Sequence, residues 1–403
     1  MIFTASSSRA SNLRIALLTV LIFFLMRPGM VAFLQSGSYV LECFNALRWC
    51  AILVSAGIYI RLVRIDAFGI AVLGLAVFSF SSLLVNGVEL YYFTEFWLPC
   101  CAMALLARAL GGEGGAEIVW AMLIASSIIS IGNLISVFVF PSGIPAAGYR
   151  YFNGNKNSAI IAIIPSVFCS LMLDAREKRV ASIRSIALIA VGFVQVLGNE
   201  FTYSATSIVV LCIAVLGAAV LINGKAQRVL NGYTYLGGYV VAFFGIVVFR
   251  MQNVFAFFIE DVLGKSLTFT DRTLIWDQAI GNVLSKNVLI GCGNDMYDAP
   301  GYVVGTAHNM VLETFVQGGI LGVFSLAVIV FLAARSLCEN RSSRVAALAA
   351  LAIGCFLMIG LMEHIRFPAF FFFLGLAASW KGCACEQDEG EGSNGGNVQP
   401  TAL

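Results

Sequence analysis

Two side chains within one stretch, Gly264–Gly322, which begins polar and runs into a membrane helix, have the types and setting for proton transfer and phosphate chemistry. They are Arg272 and His308, the latter one of only two histidines in 403 residues. A neutral imidazole can take a proton from a hydroxyl, as a general base must. A guanidinium grips phosphate oxygens through a planar fork of donors. Thr270 or Asp271 is expected to cap a helix in which Trp276, Ala279 and Val283 follow Arg272 at helical spacing, placing Arg272 on the apolar ridge that faces the protein. Gly291-Cys292-Gly293 reads as a turn. Thr306 is expected to cap a membrane helix with His308 in its first turn, where the positive end of the helix dipole and nearby arginines disfavour imidazolium. The unpaired N–H groups of that helix end would suit a phosphate. A second reading of His308 is equally open: a polar residue at an interfacial helix start, hydrogen-bonded to a neighbour. Glu313, further into the same helix, is a carboxylate that a membrane tolerates only when it is paired or functional. Gly318 and Gly322 form a small-xxx-small face for close helix packing.

The elements that must position these groups are membrane helices. Of the residues, 60% are hydrophobic and 11% charged, and mean hydropathy is +0.90. Soluble domains carry about 25% charged residues, so the chain belongs with polytopic membrane proteins. A net charge of +2 without a concentrated basic surface excludes nucleic acid as a partner. Apolar runs of about 16–24 residues, long enough to cross a bilayer, recur near Leu13–Leu34, Val40–Ile60, Ala67–Val85, Tyr91–Ala109, Ala116–Phe140 and Ser158–Leu173. Six more follow near Ile183–Gly198, Thr206–Ile222, Tyr235–Phe249, Ala307–Ala334, Val345–Leu361 and Phe367–Trp380. The fold class expected is therefore all-α, a bundle of about twelve transmembrane helices. Arg9 and Arg14 precede the first run, but no small-x-small cleavage site follows, so that helix is expected to be retained.

Lys and Arg collect in alternate loops: Arg61/Arg64, Arg108, Arg176/Lys178/Arg179/Arg184, Lys225/Arg228, Arg335/Arg341/Arg344 and Lys381. Both termini are thus expected in the cytoplasm. The outer side then carries Pro141–Asn157 and a long loop, 250–306, between the ninth and tenth spans, which includes an interfacial amphipathic helix at Met251–Leu263. Residues 1–382 are read as one integral-membrane domain and 383–403 as an acidic, Gly-rich, disordered cytoplasmic tail.

Other constellations carry less. Of eleven cysteines, Cys43, Cys50, Cys169, Cys212 and Cys355 lie in apolar runs, where Cys acts as a small hydrophobe. No disulfide is expected, and Cys383/Cys385 lack a partner pair for zinc. There is no Walker motif, no glycosidase-spaced carboxylate pair and no metal box, so neither metal nor cofactor is expected. Arg48, inside the second span, reads either as a functional intramembrane charge or as a structural partner of Glu95, with Glu42 also near. His364, beside Arg366, reads as interfacial.

With these residues in view, the chain resembles the bacterial O-antigen ligase and polymerase superfamily of membrane glycosyltransferases. TDRTLIW is similar to the family's Arg-x-x-(apolar)-Trp motif, GCGNDMY to its glycine-aromatic turn, and TAHNMVLETFVQGGILG to its His-Asn motif. GYRYFNGNKNSA and LMEHIRFPAFFFFLGL resemble its outer-loop and closing segments. The resemblance implies a GT-C-like bundle in the bacterial cytoplasmic (inner) membrane, active on its outer side. It also implies a glycan donor on undecaprenyl diphosphate, a glycan or glycolipid acceptor, surrounding membrane lipid and an inverting, metal-independent transfer. Carried over by motif, His308 is the general base and Arg272 a diphosphate clamp. Arg150 is a second cationic contact, Asn309 and Glu313 orient the imidazole, Asn157 lies in the outer-loop motif, and Glu363 serves the acceptor side. One departure stands out: Ala205, in TYSATS, occupies the place where many members carry Arg, and Arg150 or Arg250 would have to replace it. The rival reading is a transporter or flippase of lipid-linked glycans, for which no inverted repeat is visible.

Overall fold

The structure is a computed structural model that describes residues 2–33, 38–91, 93–112, 115–145, 149–198, 202–251, 272–293, 306–364 and 367–380. The interfacial helix expected at Met251–Leu263 (beyond its first residue), the cap at Thr270 or Asp271, Arg366, the Cys383/Cys385 pair and the tail lie outside the described residues. Within them the chain is all-helical: α1 (Ile2–Met26), α2 (Tyr39–Leu62), α3 (Ala67–Val85), α4 (Leu98–Leu110), α5 (Ala116–Val139), α6 (Ala159–Arg176) and α7 (Ile183–Leu197). There follow α8 (Ala205–Val220), the short α9 (Gly224–Val229), α10 (Gly232–Ala242), α11 (Arg272–Lys286), α12 (Met310–Glu339), α13 (Arg344–Met362) and α14 (Pro368–Ala378). A π-helical turn, Phe93–Trp97, leads into α4.

Among the described residues, seven helices are long and apolar enough to cross a membrane: Tyr39–Leu62, Ala67–Val85, Phe93–Leu110, Ala116–Val139, Lys156–Arg176, Met310–Glu339 and Arg344–Met362. Five further apolar helices of 10–17 residues, Ala10–Met26, Ile183–Leu197, Ala205–Val220, Gly232–Val248 and Pro368–Ala378, fall where the remaining spans were expected. The chain is therefore a multi-pass, all-helical membrane protein. Helices apolar all round belong in the interior, and α6, α13 and α14 occupy it, with Phe370, Phe371, Phe372 and Phe373 fully buried. α14 lies against α4, α12 against α3, and α5 against both α1 and α6. The described cysteines are free thiols.

One departure from regular helix shapes the site. α12 is broken at Gly319, whose φ of 61° and ψ of −162° lie in a region that only glycine occupies comfortably. The turn that follows α11 inserts its backbone into the break. Ile320 N–H donates to the Val288 carbonyl at 2.9 Å, Leu321 N–H to that of Leu289 at 3.2 Å, and Cys292 N–H to that of Val316 at 2.9 Å. Backbone groups freed inside a bilayer must find partners within the protein, and here the turn supplies them. The same turn is tied to α3 by Gly293 N–H to Ser82 Oγ at 3.0 Å and Asn86 Nδ2 to the Gly291 carbonyl at 3.3 Å. The small-residue face expected at Gly318 and Gly322 is thus interrupted between them, although Gly318 does approach Ser79 of α3.

A Cβ at position 319 would overlap the Leu289 carbonyl. Gly319→Ala is expected to destabilise the protein by at least about 2 kcal/mol, from backbone strain and the clash together. Thermal unfolding in detergent measures it, and an unshifted midpoint would show that the break is not fixed by this residue.

Candidate active site

The site is assembled from three chain segments that converge on one carboxylate. Glu363 is the C-cap of α13, its backbone extended and its N–H bonded to the Ile359 carbonyl. Its Oε1 accepts from Arg272 Nη2 at 2.8 Å and from Asn157 Nδ2 at 2.9 Å, and its Oε2 lies 3.1 Å from His308 Nδ1. The Glu363 and Arg272 side chains are 12% and 18% exposed, whereas His308 is 31% exposed, which leaves the imidazole the most reachable of the three. Burial alone would raise the Glu363 carboxyl. The hydrogen bond from His308, the Arg272 charge and the Asn157 amide outweigh it and hold the group below its ordinary value.

Each partner is positioned by its own local sequence. Arg272 opens α11, which buries Ile275, Trp276, Ala279 and Val283, the last three in a cluster with Leu312 and Val316 of α12. The guanidinium therefore shares the inward side, as the helical spacing predicts. Arg250, with φ of 55°, holds the outer face of the same helix: it pairs with Asp277, donates to the Thr273 carbonyl and lies 5.2 Å from the Trp276 ring centroid. Asn157 sits in a 3-10 turn, Lys156–Ser158, capped by Asn155. That loop is pinned from below by membrane-embedded polar groups. Asn133 Oδ1 accepts from Asn153 N–H at 2.9 Å, while Asn133 Nδ2 donates to Gln195 and Gln195 donates to Ser130. All three of these polar side chains are buried.

His308 departs from the expected helix start. The N-cap of α12 is Asn309, not Thr306, and its Oδ1 accepts from Val311 and Leu312 N–H. A carboxamide at the N-cap thereby satisfies the second and third free N–H groups. His308 therefore precedes the helix, with φ of 47°, instead of occupying its first turn. Two of the free N–H groups expected to receive a phosphate are already taken by Asn309. The N-cap also ties α12 to α13, through Asn309 Nδ2 to the Leu361 carbonyl at 3.1 Å.

Positive φ at a non-glycine residue costs about 1–3 kcal/mol and persists only where its surroundings impose it. Here the preceding peptide is clamped on both sides. Ala307 N–H donates to Glu313 Oε2 at 2.7 Å, and the Ala307 carbonyl accepts from Trp276 Nε1 at 3.1 Å. Glu313, fully buried, also accepts from Gln317 Nε2, and Gln317 Oε1 accepts from Trp97 Nε1 at 2.7 Å. Asn309 and Glu313 thus fix the backbone that carries the imidazole; the group that contacts the ring is Glu363. Glu363, expected on the acceptor side, is the shared partner of Arg272, Asn157 and His308.

Arg150 lies elsewhere, in the segment between α5 and α6. Its carbonyl accepts from Ile144 N–H in an isolated bridge, and among the described residues no hydrogen bond or ion pair joins it to Glu363. Ala205 is buried at the start of α8, next to its Ser204 cap. Trp276, Gln317 and Trp97 were not singled out from the sequence as supports of the site. Gln317 carried a signal nonetheless, because a polar residue four positions after a buried Glu in a membrane helix marks a paired carboxylate. Arg48, by contrast, pairs with Glu95, the structural alternative weighed above, at 2.7 Å.

A largely buried carboxylate linking a guanidinium and a partly exposed imidazole defines a membrane site equipped for proton transfer beside an anion. Residues 199–327, which carry Arg272, His308, Asn309 and Glu313, match the family described as O-antigen ligase. That match supports placing the chain in the O-antigen ligase and polymerase superfamily. No curated protein and no solved structure matches the chain.

Proposed function

We propose that this protein is a glycosyltransferase of the O-antigen ligase or polymerase type. In this reading it moves a glycan from undecaprenyl diphosphate to an acceptor hydroxyl at the outer face of the bacterial cytoplasmic membrane. The observation that carries the reading is the joint engagement of Arg272 and His308 by Glu363. Twelve crossings in a GT-C-like arrangement with both termini inside would set these groups at the outer surface, within one membrane domain and next to the loop 250–306. The transporter reading has no comparable support, because a conduit requires no imidazole held in a strained backbone.

The chemistry follows from the contacts. With Nδ1–H donated to Glu363, the imidazole keeps its Nε2 lone pair for the acceptor hydroxyl. The acceptor oxygen attacks the anomeric carbon, its proton passes to His308 Nε2, and the bond from that carbon to the diphosphate oxygen breaks. One displacement inverts the anomeric centre. The departing diphosphate gathers negative charge, which Arg272 would neutralise by turning part of its donor fork from Glu363 to phosphate. Asn157 holds the carboxylate while that exchange takes place.

Purified protein in detergent, supplied with a polyprenyl-diphosphate glycan and a hydroxyl-bearing glycolipid acceptor, is expected to form the glycosylated product. A transporter has nothing to do without a second compartment, so absence of product across both ligase-type and polymerase-type acceptors would count against the reading. In the same assay Arg272→Ala should lower kcat/KM for the donor by roughly 10²–10³-fold, the usual scale for losing one charge-stabilising contact. Arg272→Lys keeps the charge and loses the fork, so it should fall between the two. Unchanged turnover at limiting donor in Arg272→Ala would remove the clamp role.

A further inference from the structure

We propose that a cavity beside Arg48 binds the phosphate of an anionic membrane lipid, at a site separate from Glu363 and independent of the transfer reaction. The cavity is lined by Asn45, Arg48, Trp49, Ile52, Thr94 and Glu95. Its charges do not balance. The Glu95 carboxylate pairs with both Arg27 and Arg48, so two guanidiniums share one negative group, and the three side chains are 7%, 7% and 11% exposed in the order Arg27, Arg48, Glu95. Arg48 spends Nη1 on the carboxylate and Nη2 on the Glu95 carbonyl at 2.6 Å. Its Nε has no partner among the described residues, and neither does Asn45 Oδ1, both atoms being buried. Glu42, the nearest acidic residue along α2, is exposed and makes no ion pair with Arg48 among the described residues.

A buried cation in excess is costly until an anion reaches it. An unused guanidinium N–H and a carboxamide on one wall are what a phosphate oxygen and a neighbouring lipid hydroxyl would occupy. The volume, about 180 Å³, suits a head-group phosphate and falls below the ~300 Å³ lower bound of pockets that enclose larger organic ligands. The route in points to lipid instead of free phosphate. Trp49, 45% exposed, forms the outward wall, and the same helix exposes Leu47 and Leu53 beside it, a surface that hydrocarbon covers in a membrane helix. The Phe96 ring meets His364 at 6.5 Å, which places this cavity at the same end of the bundle as Glu363. Glu95 is carried on the π-helical turn, a distortion that recurs at binding sites.

The test places the protein in phosphatidylcholine nanodiscs doped with brominated phosphatidylglycerol or brominated phosphatidylcholine and follows the fluorescence that Trp49→Phe removes. Half-quenching is expected at roughly tenfold lower mole fraction of the anionic lipid, the scale of a hydrogen-bonded charge contact. Asn45→Asp would supply the missing negative charge without touching either arginine, so it should abolish the preference while the protein stays folded. Arg48→Lys, which keeps charge but loses Nε, should weaken it. Equal quenching by the two lipids, or a preference that survives both substitutions, overturns the proposal. So does loss of the preference to millimolar inorganic phosphate together with phosphate-induced thermal stabilisation in detergent, which would assign the cavity to the free ion.

Discussion

His308→Asn is expected to lower glycan transfer by roughly 10²–10⁴-fold, the contribution typical of a positioned general base. Asn is the informative replacement because it tolerates positive φ better than other non-glycine residues. It can therefore adopt the backbone of His308, with φ of 47°, and can still contact Glu363. His308→Ala removes the same base but adds strain to a residue whose neighbour Ala307 is held from both sides by Glu313 and Trp276. The two variants should thus be equally inactive and differ in thermal stability. Donor binding, measured separately by retention of the diphosphate lipid, should survive in His308→Asn, since the guanidinium of Arg272 is untouched. Transfer at the unaltered rate in a folded His308→Asn would falsify the base assignment and leave the interfacial reading of His308 in its place.

Glu363→Gln is expected to have a comparably large effect with a different kinetic signature. The substitution keeps the size of the side chain and removes the charge that Arg272 and His308 share. Without an ionised acceptor at Nδ1, the imidazole loses the group that fixes its orientation and stabilises it as it takes up a proton. A loss in kcat of about 10²–10³-fold is anticipated, below the roughly 10⁴-fold loss that follows neutralising the acid of a hydrolytic triad. Arg272, released from its carboxylate, becomes more available to the diphosphate, so the donor KM should stay level or fall. A donor KM that rose in step with the fall in kcat would mean that Glu363 only holds the segments together.

The same carboxylate predicts a pH dependence. Its pKa is lowered in the folded protein, against the direction of burial, by His308, Arg272 and Asn157. A depressed carboxyl stabilises the folded site above its ordinary pKa, and that contribution disappears as pH falls through the depressed value. The cluster is therefore complete at neutral pH and dismantled only below the ordinary carboxylate range. An acid limb in kcat/KM that disappears in Glu363→Gln would report this group. An identical acid limb in both proteins would assign it to another residue.

Much of this molecule follows from one-dimensional pattern. Apolar runs long enough to cross a bilayer specify helices because no other open-ended backbone satisfies its own hydrogen bonds in lipid, and the long and shorter apolar helices fall where those runs lie. The inward side of α11 is equally legible, because the spacing from Arg272 to Trp276, Ala279 and Val283 fixes which face is buried. His308 and Arg272 stand out by residue type alone in a chain so poor in charge. The supporting contacts are another matter. Glu363 lies 91 residues from Arg272, 55 from His308 and 206 from Asn157, and nothing local to any of them specifies the meeting. The cap likewise passes from Thr306 to Asn309 because Glu313 and Trp276 clamp Ala307, a competition settled by side chains on two helices. Gly319, between the packing glycines Gly318 and Gly322, carries no local sign of the break that the turn at 288–292 fills. Sequence determined the helices and the chemically capable residues through local periodicity and solvation. Tertiary structure decided which carboxylate serves them, since pairings between distant segments depend on how the bundle closes.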